Sequence, residues 1–231
     1  MLTLHRAAFV LPDPADPTAP SLEDGAVLVR GELVEAVGSF DALTAEHPGA
    51  RVREWGQAVL TPGLRNPYGH WLLERAYHPD PREEIGVEPV RDGLVGEVDD
   101  ARCGASARRG LQRMLGFGVT AVAGPFERAA VRTAVARSGL VGSAGGPVAG
   151  AGEGEAAREA ASEGPLDPLA VLPLAAAVHG RVVAGGRADF AVFTVSAAPA
   201  ASAIGGEGGG RPMPGGCLAT VLGGRLVYRR R

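Results

Sequence analysis

The chain has 231 residues, 45% hydrophobic and 21% charged, with a net charge of −3. That size and apolar content suffice to bury a sizeable core in one or two globular domains, which excludes overall disorder. The mildly acidic balance and scattered arginines, apart from the Arg229-Arg230-Arg231 tail, exclude a basic footprint for nucleic acid, and no apolar run reaches the roughly 20 residues of a membrane-spanning helix.

Residues 2–10 read as a first strand, and the Pro/Asp cluster at 12–20 cannot continue it because proline removes ladder donors. Ala26–Arg30 and Leu33–Val37 flank Gly31-Glu32, a two-residue connection suited to a tight hairpin. Ser39 is an N-cap candidate for a short helix to Glu46, closed by Pro48-Gly49. Strands over Arg51–Trp55 and Ala58–Leu60 then lead to a turn at Thr61-Pro62-Gly63.

From Asp99 to Gly116 apolar residues recur at helical spacing. A buried strand at Val119–Ala123, a helix at Phe126–Ser138 ended by Gly139, and a short strand at Leu140–Gly142 follow. This alternation predicts parallel β/α units. Residues 142–165 are rich in Gly, Ala and Glu and read as an excursion, with a surface helix at Glu153–Ala161. Asp167-Pro168 begins an apolar helix running over Leu169–His179 despite Pro173, with Gly180 closing it. Strands at Asp189–Val195 and Leu218–Tyr228, the latter folded at Gly223-Gly224, flank a loop at 196–216 too poor in large apolar groups to pack.

Strands thus gather at both chain ends, with α/β units between. Asp24–Gly38, Ala42–Ala50, Gly186–Phe193 and Val221–Tyr228 are similar to the composite domain of the amidohydrolase superfamily, most closely its imidazolonepropionase and aminodeoxyfutalosine deaminase branch. The segment Ala58–His70 resembles the passage from a sandwich strand into a barrel strand that ends in His-x-His. The resemblance implies an α/β fold: a composite β-sandwich from residues 1–63 and 181–231 enclosing a (β/α) TIM-barrel-like insert at 64–180. A full barrel takes about 250 residues, whereas residues 64–175 number 112, so the insert is expected to be a truncated remnant, leaning on the sandwich or paired in a homodimer.

In that family the two histidines of the motif hold a metal ion that makes hydroxide near neutral pH. Here Tyr68 stands at the first position and His70 at the second. His70, His78 and Asp80 are the candidate metal ligands, and Glu74 and Glu83 the candidate residues at the substrate mouth; a catalytic residue cannot be assigned. Zinc or iron is expected only if that site functions. All 23 basic residues are arginine, so no carboxylated lysine can bridge a metal. A solvated loop with incidental charges is the plain alternative for residues 71–84.

Cys103 and Cys217 lie far apart without metal or redox spacing, which fits a reducing compartment. With no leader pattern at the N-terminus, the expectation is a cytoplasmic protein of a high-GC bacterium, with a small-molecule ligand and no nucleic-acid or membrane partner. Two readings of function stay open. One is a hydrolase acting on carbon–nitrogen bonds other than peptide bonds. The other is a pseudoenzyme that binds a small molecule or partner without turnover.

Overall fold

A computed structural model describes residues 1–143, 163–195 and 210–230. The predicted surface helix at Glu153–Ala161 and residues 196–209 of the predicted loop lie outside these.

Alternating apolar residues build the first layer. Strands β1 (Leu2–Val10), β2 (Leu22–Arg30) and β3 (Leu33–Ser39) form a meander, and the β2–β3 turn closes at Gly31 with φ +62°. Side-chain freedom is scarce at that φ, which is why glycine serves there. Helix α1 (Phe40–Glu46) starts at Ser39, whose hydroxyl accepts the Ala42 N–H. Strands β4 (Arg51–Glu54) and β5 (Ala58–Pro62) both run parallel to β1, at its first and second half respectively. From the far end of the chain come β9 (Phe190–Val195), β10 (Pro212–Leu222) and β11 (Arg225–Arg229). The strand order is β11-β10-β9-β5-β1-β2-β3, with β4 also on β1, so the two chain ends share one eight-stranded sheet.

Both faces of this sheet are covered, and the two-residue period of a strand divides its side chains between them. In β9, Phe190 and Val192 pack with Ala7, Val27, Leu60 and Val221. Ala191 and Phe193 point the other way and pack with Val59, Leu64, Met114 and Val119.

That second core lies under the middle of the chain. Strands β6 (Leu64–Asn66), β7 (Val119–Ala123) and β8 (Val141–Ser143) form a parallel sheet in the order β6-β7-β8. Helix α2 (Asp100–Leu115) is capped by Asp99, whose carboxylate accepts the Arg102 N–H at 2.7 Å, and it buries Cys103, Ala107, Leu111 and Met114 at helical spacing. Helix α3 (Ala129–Ser138) ends at Gly139 with φ +81°. Between α2 and β7, Gly118 has φ +83°, and a Cβ there would fall 2.7 Å from the Phe193 ring. The layers meet at that closeness because the residue has no side chain.

Several expected elements change. Helix α3 begins three residues later than the expected Phe126. The expected helix Leu169–His179 is broken: a 3-10 turn covers Pro168–Ala170 and a single turn, α4, covers Leu174–Ala177. Proline removes a backbone donor and clashes with the preceding turn, so Pro173 starts a new helix instead of continuing one. Strand β10 begins at Pro212 rather than Leu218, pairing Pro212 with Val195 across register shifts.

The segment after β6 has its own anchors. A π-helix covers Trp71–Arg75 and a 3-10 turn covers Pro81–Glu83. His78 is fully buried between them, its backbone N–H donating to Ser106 Oγ at 2.8 Å and its Nε2 meeting the Leu72 carbonyl at 2.8 Å. A carbonyl only accepts, so Nε2 carries the proton and Nδ1 is left bare, buried and without a partner. Burial, with the charges of Arg113 and Arg109, pulls the His78 pKa down to about 4 against the helping Leu72 carbonyl.

Two stability predictions follow from this packing. Phe193→Ala, which empties the junction between the cores, should lower stability by about 3–5 kcal/mol, read as a fall in the urea midpoint at unchanged slope. The unfolded chain protonates His78 at an ordinary pKa near 6.5 while the fold resists until about 4. The unfolded state therefore binds more protons in that window, so the stability His78 permits is complete above about pH 6.5 and is lost as the pH falls toward 4. His78→Leu should shrink the acid loss across this window by on the order of 3 kcal/mol; an unchanged pH slope in urea melts would refute it.

Candidate functional site

Strand β6 ends where Asn66 intervenes. Its side chain is fully buried; Oδ1 accepts the Tyr68 N–H at 2.9 Å, while Nδ2 donates to the carbonyls of Pro165 at 2.9 Å and Leu166 at 3.1 Å. An asparagine that binds the backbone two residues on makes a turn of its own, ending the extended run. Tyr68 and His70 consequently do not share one face of a strand, as their spacing predicts: Tyr68 lies in the turn and His70 has the helical angles φ −58°, ψ −55° at the head of the π-helix.

The π-helix brings Glu74 to His70. Their closest approach is 3.4 Å, between Glu74 Oε2 and His70 Nδ1, and the Glu74 side chain is 4% exposed. The same Nδ1 lies 2.9 Å from the Pro125 carbonyl, just after β7. Because that oxygen is only an acceptor, Nδ1 carries the hydrogen, which leaves Nε2 as the bare, basic nitrogen. Among the described residues Nε2 has no hydrogen-bond partner, and the ring is 18% exposed. The other Glu74 oxygen accepts the backbone N–H of Arg128 at 2.8 Å, at the N-terminal boundary of α3. The Arg128 guanidinium then donates to Cys103 Sγ and to the Leu94 carbonyl, each at 2.9 Å. Residues following β6 and β7 thus converge on one imidazole.

The other candidates stand apart from it. His78 is occupied in the interior. Asp80 caps the 3-10 turn, accepting the Arg82 N–H at 3.0 Å, and lies 3.5 Å from Arg109. Glu83 completes that capping box by accepting the Asp80 N–H at 3.2 Å, and also accepts the Tyr77 hydroxyl at 2.5 Å, which holds its carboxyl below the ordinary range. These are the contacts of a folded loop. Among the described residues, no group of three or more His, Cys, Asp or Glu is placed to hold a metal ion.

Tyr68 is buried beside this site. Gly164 lies against its ring, where a Cβ would come within 2.4 Å of ring carbons. A phenol with an ordinary pKa of about 10 is a poor divalent-ion ligand near neutral pH. The donors present at the motif, one histidine and a buried tyrosine, do not fit the family's metal centre.

Glu74 was a sequence candidate for the substrate mouth near His70, but its pairing with His70 depends on the π-helix that the strand-and-loop reading did not foresee. Asn66, the Pro125 carbonyl and the Arg128 N–H left no such trace, because two of them act through the backbone and the third through residues a hundred positions away.

Comparison with known proteins finds similarity over parts of the chain. Residues 25–50 match the family described as the imidazolonepropionase-like composite domain of bacteria. A 5-methylthioadenosine/S-adenosylhomocysteine deaminase of Nitratidesulfovibrio vulgaris is 32% identical over 146 residues, covering 60% of this chain and 31% of that protein. An imidazolonepropionase of Pyrobaculum arsenaticum is 32% identical over 72 residues, covering 28% of this chain and 18% of that protein. The chain therefore spans less than a third of the length of these relatives. Among solved structures, Helicobacter pylori aminofutalosine deaminase aligns with a TM-score of 0.43 and 18% identity over 62% of this chain and 33% of that one. No helix of the described residues is long and apolar enough to cross a membrane. The chain is thus similar to an imidazolonepropionase-like composite domain over residues 25–50, and over longer stretches to parts of a deaminase and of an imidazolonepropionase.

Proposed function

We propose that this chain is an amidohydrolase-like hydrolase of carbon–nitrogen bonds other than peptide bonds, acting on a small molecule in the cytoplasm. In this reading residues 1–63 and 181–231 are its composite β-sandwich, and residues 64–180 a truncated (β/α) barrel remnant with β6, β7 and β8 as its strands. The composite-domain match at residues 25–50 and the deaminase and imidazolonepropionase relatives support it. A parallel sheet of three strands leaves edges that a closed barrel does not have, so a homodimer would cover them.

The observation that carries a chemical role is the orientation of His70. Its Nδ1–H is held by the Pro125 carbonyl with the Glu74 carboxylate alongside, and its Nε2 is available. In that state Nε2 takes a proton from water as the oxygen attacks the carbon of a C–N bond, and returns it to the departing nitrogen. Glu74 stabilises the imidazolium formed in between.

Tyr68, packed under Gly164 where the family places a ligand, favours a second reading: a module that binds a small molecule without turnover. Ammonia release from 5-methylthioadenosine and S-adenosylhomocysteine, with loss of imidazolonepropionate absorbance, separates the two. Under the hydrolase reading one of these turns over, His70→Ala lowers kcat by at least about 100-fold, and Glu74→Gln by about tenfold. Saturable binding without product would favour the module, and turnover indifferent to His70→Ala would remove His70 from the chemistry. Elemental analysis checks the donor argument independently, since a stoichiometric divalent ion lost in His70→Ala would restore a metal centre.

A further inference from the structure

Away from His70, the eight-stranded sheet gathers positive charge around Trp55. Arg51 and Arg53 are alternate residues of β4 and share a face. Trp55 extends that face, its backbone N–H donating to the Arg6 carbonyl at 3.0 Å. Arg229, at the end of β11, places its guanidinium carbon 5.8 Å from the centre of the Trp55 ring. The buried His5 stacks on Trp55 at 6.0 Å and accepts the indole N–H at 3.3 Å.

Nothing among the described residues balances these charges. Arg6, on the adjacent strand, holds Asp24 at 2.6 Å and Glu54 at 3.4 Å. Glu54 alternates with Arg53 along β4 and so lies on the opposite face. Among the described residues, Arg51, Arg53 and Arg229 form no ion pair of this kind. The Nε of Arg53 is shielded from water and has no hydrogen-bond partner. Burial, followed by the charges of Arg51 and Arg229, pulls the Arg53 guanidinium below its ordinary pKa. His5 adds no positive charge, because burial and Arg53 hold its pKa down to about 3.

The exposed Arg51 and Arg229 repel the half-buried Arg53, and that repulsion is relieved by a counter-charge between them. Guanidinium groups present parallel N–H donors that match the oxygens of a phosphate, and the unmet Nε–H of Arg53 calls for such an oxygen. We propose that Arg51, Arg53 and Arg229 form a binding site for a small oxyanion, inorganic phosphate or a phosphate monoester, on the sandwich sheet and separate from His70.

Isothermal titration with inorganic phosphate and with phenyl phosphate, at ionic strength fixed by chloride, tests the site on the full chain. Saturable binding is expected, weakened about tenfold by Arg53→Gln and by Arg229→Gln, as for the loss of a hydrogen bond to a charged group. Arg229 is exposed at a strand end, so its variant reads the site even where Arg53→Gln disturbs the sheet. Arg30→Gln, which breaks only the exposed pair with Glu35, should leave affinity unchanged. Tighter binding of the ester identifies an organic phosphate and equal binding the free ion, and either ranking supports the site. Absence of saturable binding, or affinities that Arg53→Gln and Arg229→Gln leave unaltered, would overturn it.

Discussion

The pairing of β5 with β9 is the constraint on which this molecule depends. Five register pairs, from Ala58 opposite Thr194 to Pro62 opposite Phe190, join strands separated by well over a hundred residues of sequence. The entropy of closing so long a loop grows only slowly with its length, and burial on both faces of the sheet offsets it. A slip of one residue would exchange the faces, sending Phe193 into the space of Val192 and Phe190 out of its core. The register is therefore specified twice, once by each face.

The candidate site inherits its position from that pairing. Only Gly63 separates β5 from β6, and it is held from both neighbours: its N–H donates to the Asp189 carbonyl at 3.2 Å, and its carbonyl accepts from His179 at 2.7 Å. A Cβ at Gly63 would collide with Thr120 of β7, so the absent side chain lets the parallel strands approach. Asn66 then stops the strand, and the π-helix turns His70 toward the loop after β7. His70 and Glu74 are placed by the eight-stranded sheet as much as by their own helix.

What could be read from residues alone follows the range of the interactions involved. Short-range chemistry was visible: the Gly31 turn, the Ser39 cap, and the alternation that predicts paired terminal strands all act within a few residues. Long-range replacement was not. The period-two reading of Tyr68 and His70 fails because Asn66, fastened to Pro165 and Leu166, redirects the chain. The helix expected across Pro173 fails on local grounds that apolar spacing overrode. The Arg128 contact with Glu74 is a backbone N–H, which any residue but proline would present at that place.

Two histidines eight positions apart show how burial divides similar groups between structure and chemistry. His78 gives its Nε2 hydrogen to Leu72, and the nitrogen left over is sealed in the interior. A proton taken there is penalised by desolvation and by two nearby arginines, so the ring serves as a neutral strut. His70 gives its Nδ1 hydrogen to Pro125 instead, and its remaining nitrogen sits in a partly exposed ring with a carboxylate behind it. Tyr68 stands where the resemblance expects a histidine, and the His70 imidazole is held through Nδ1 by the Pro125 carbonyl, with its ring 18% exposed.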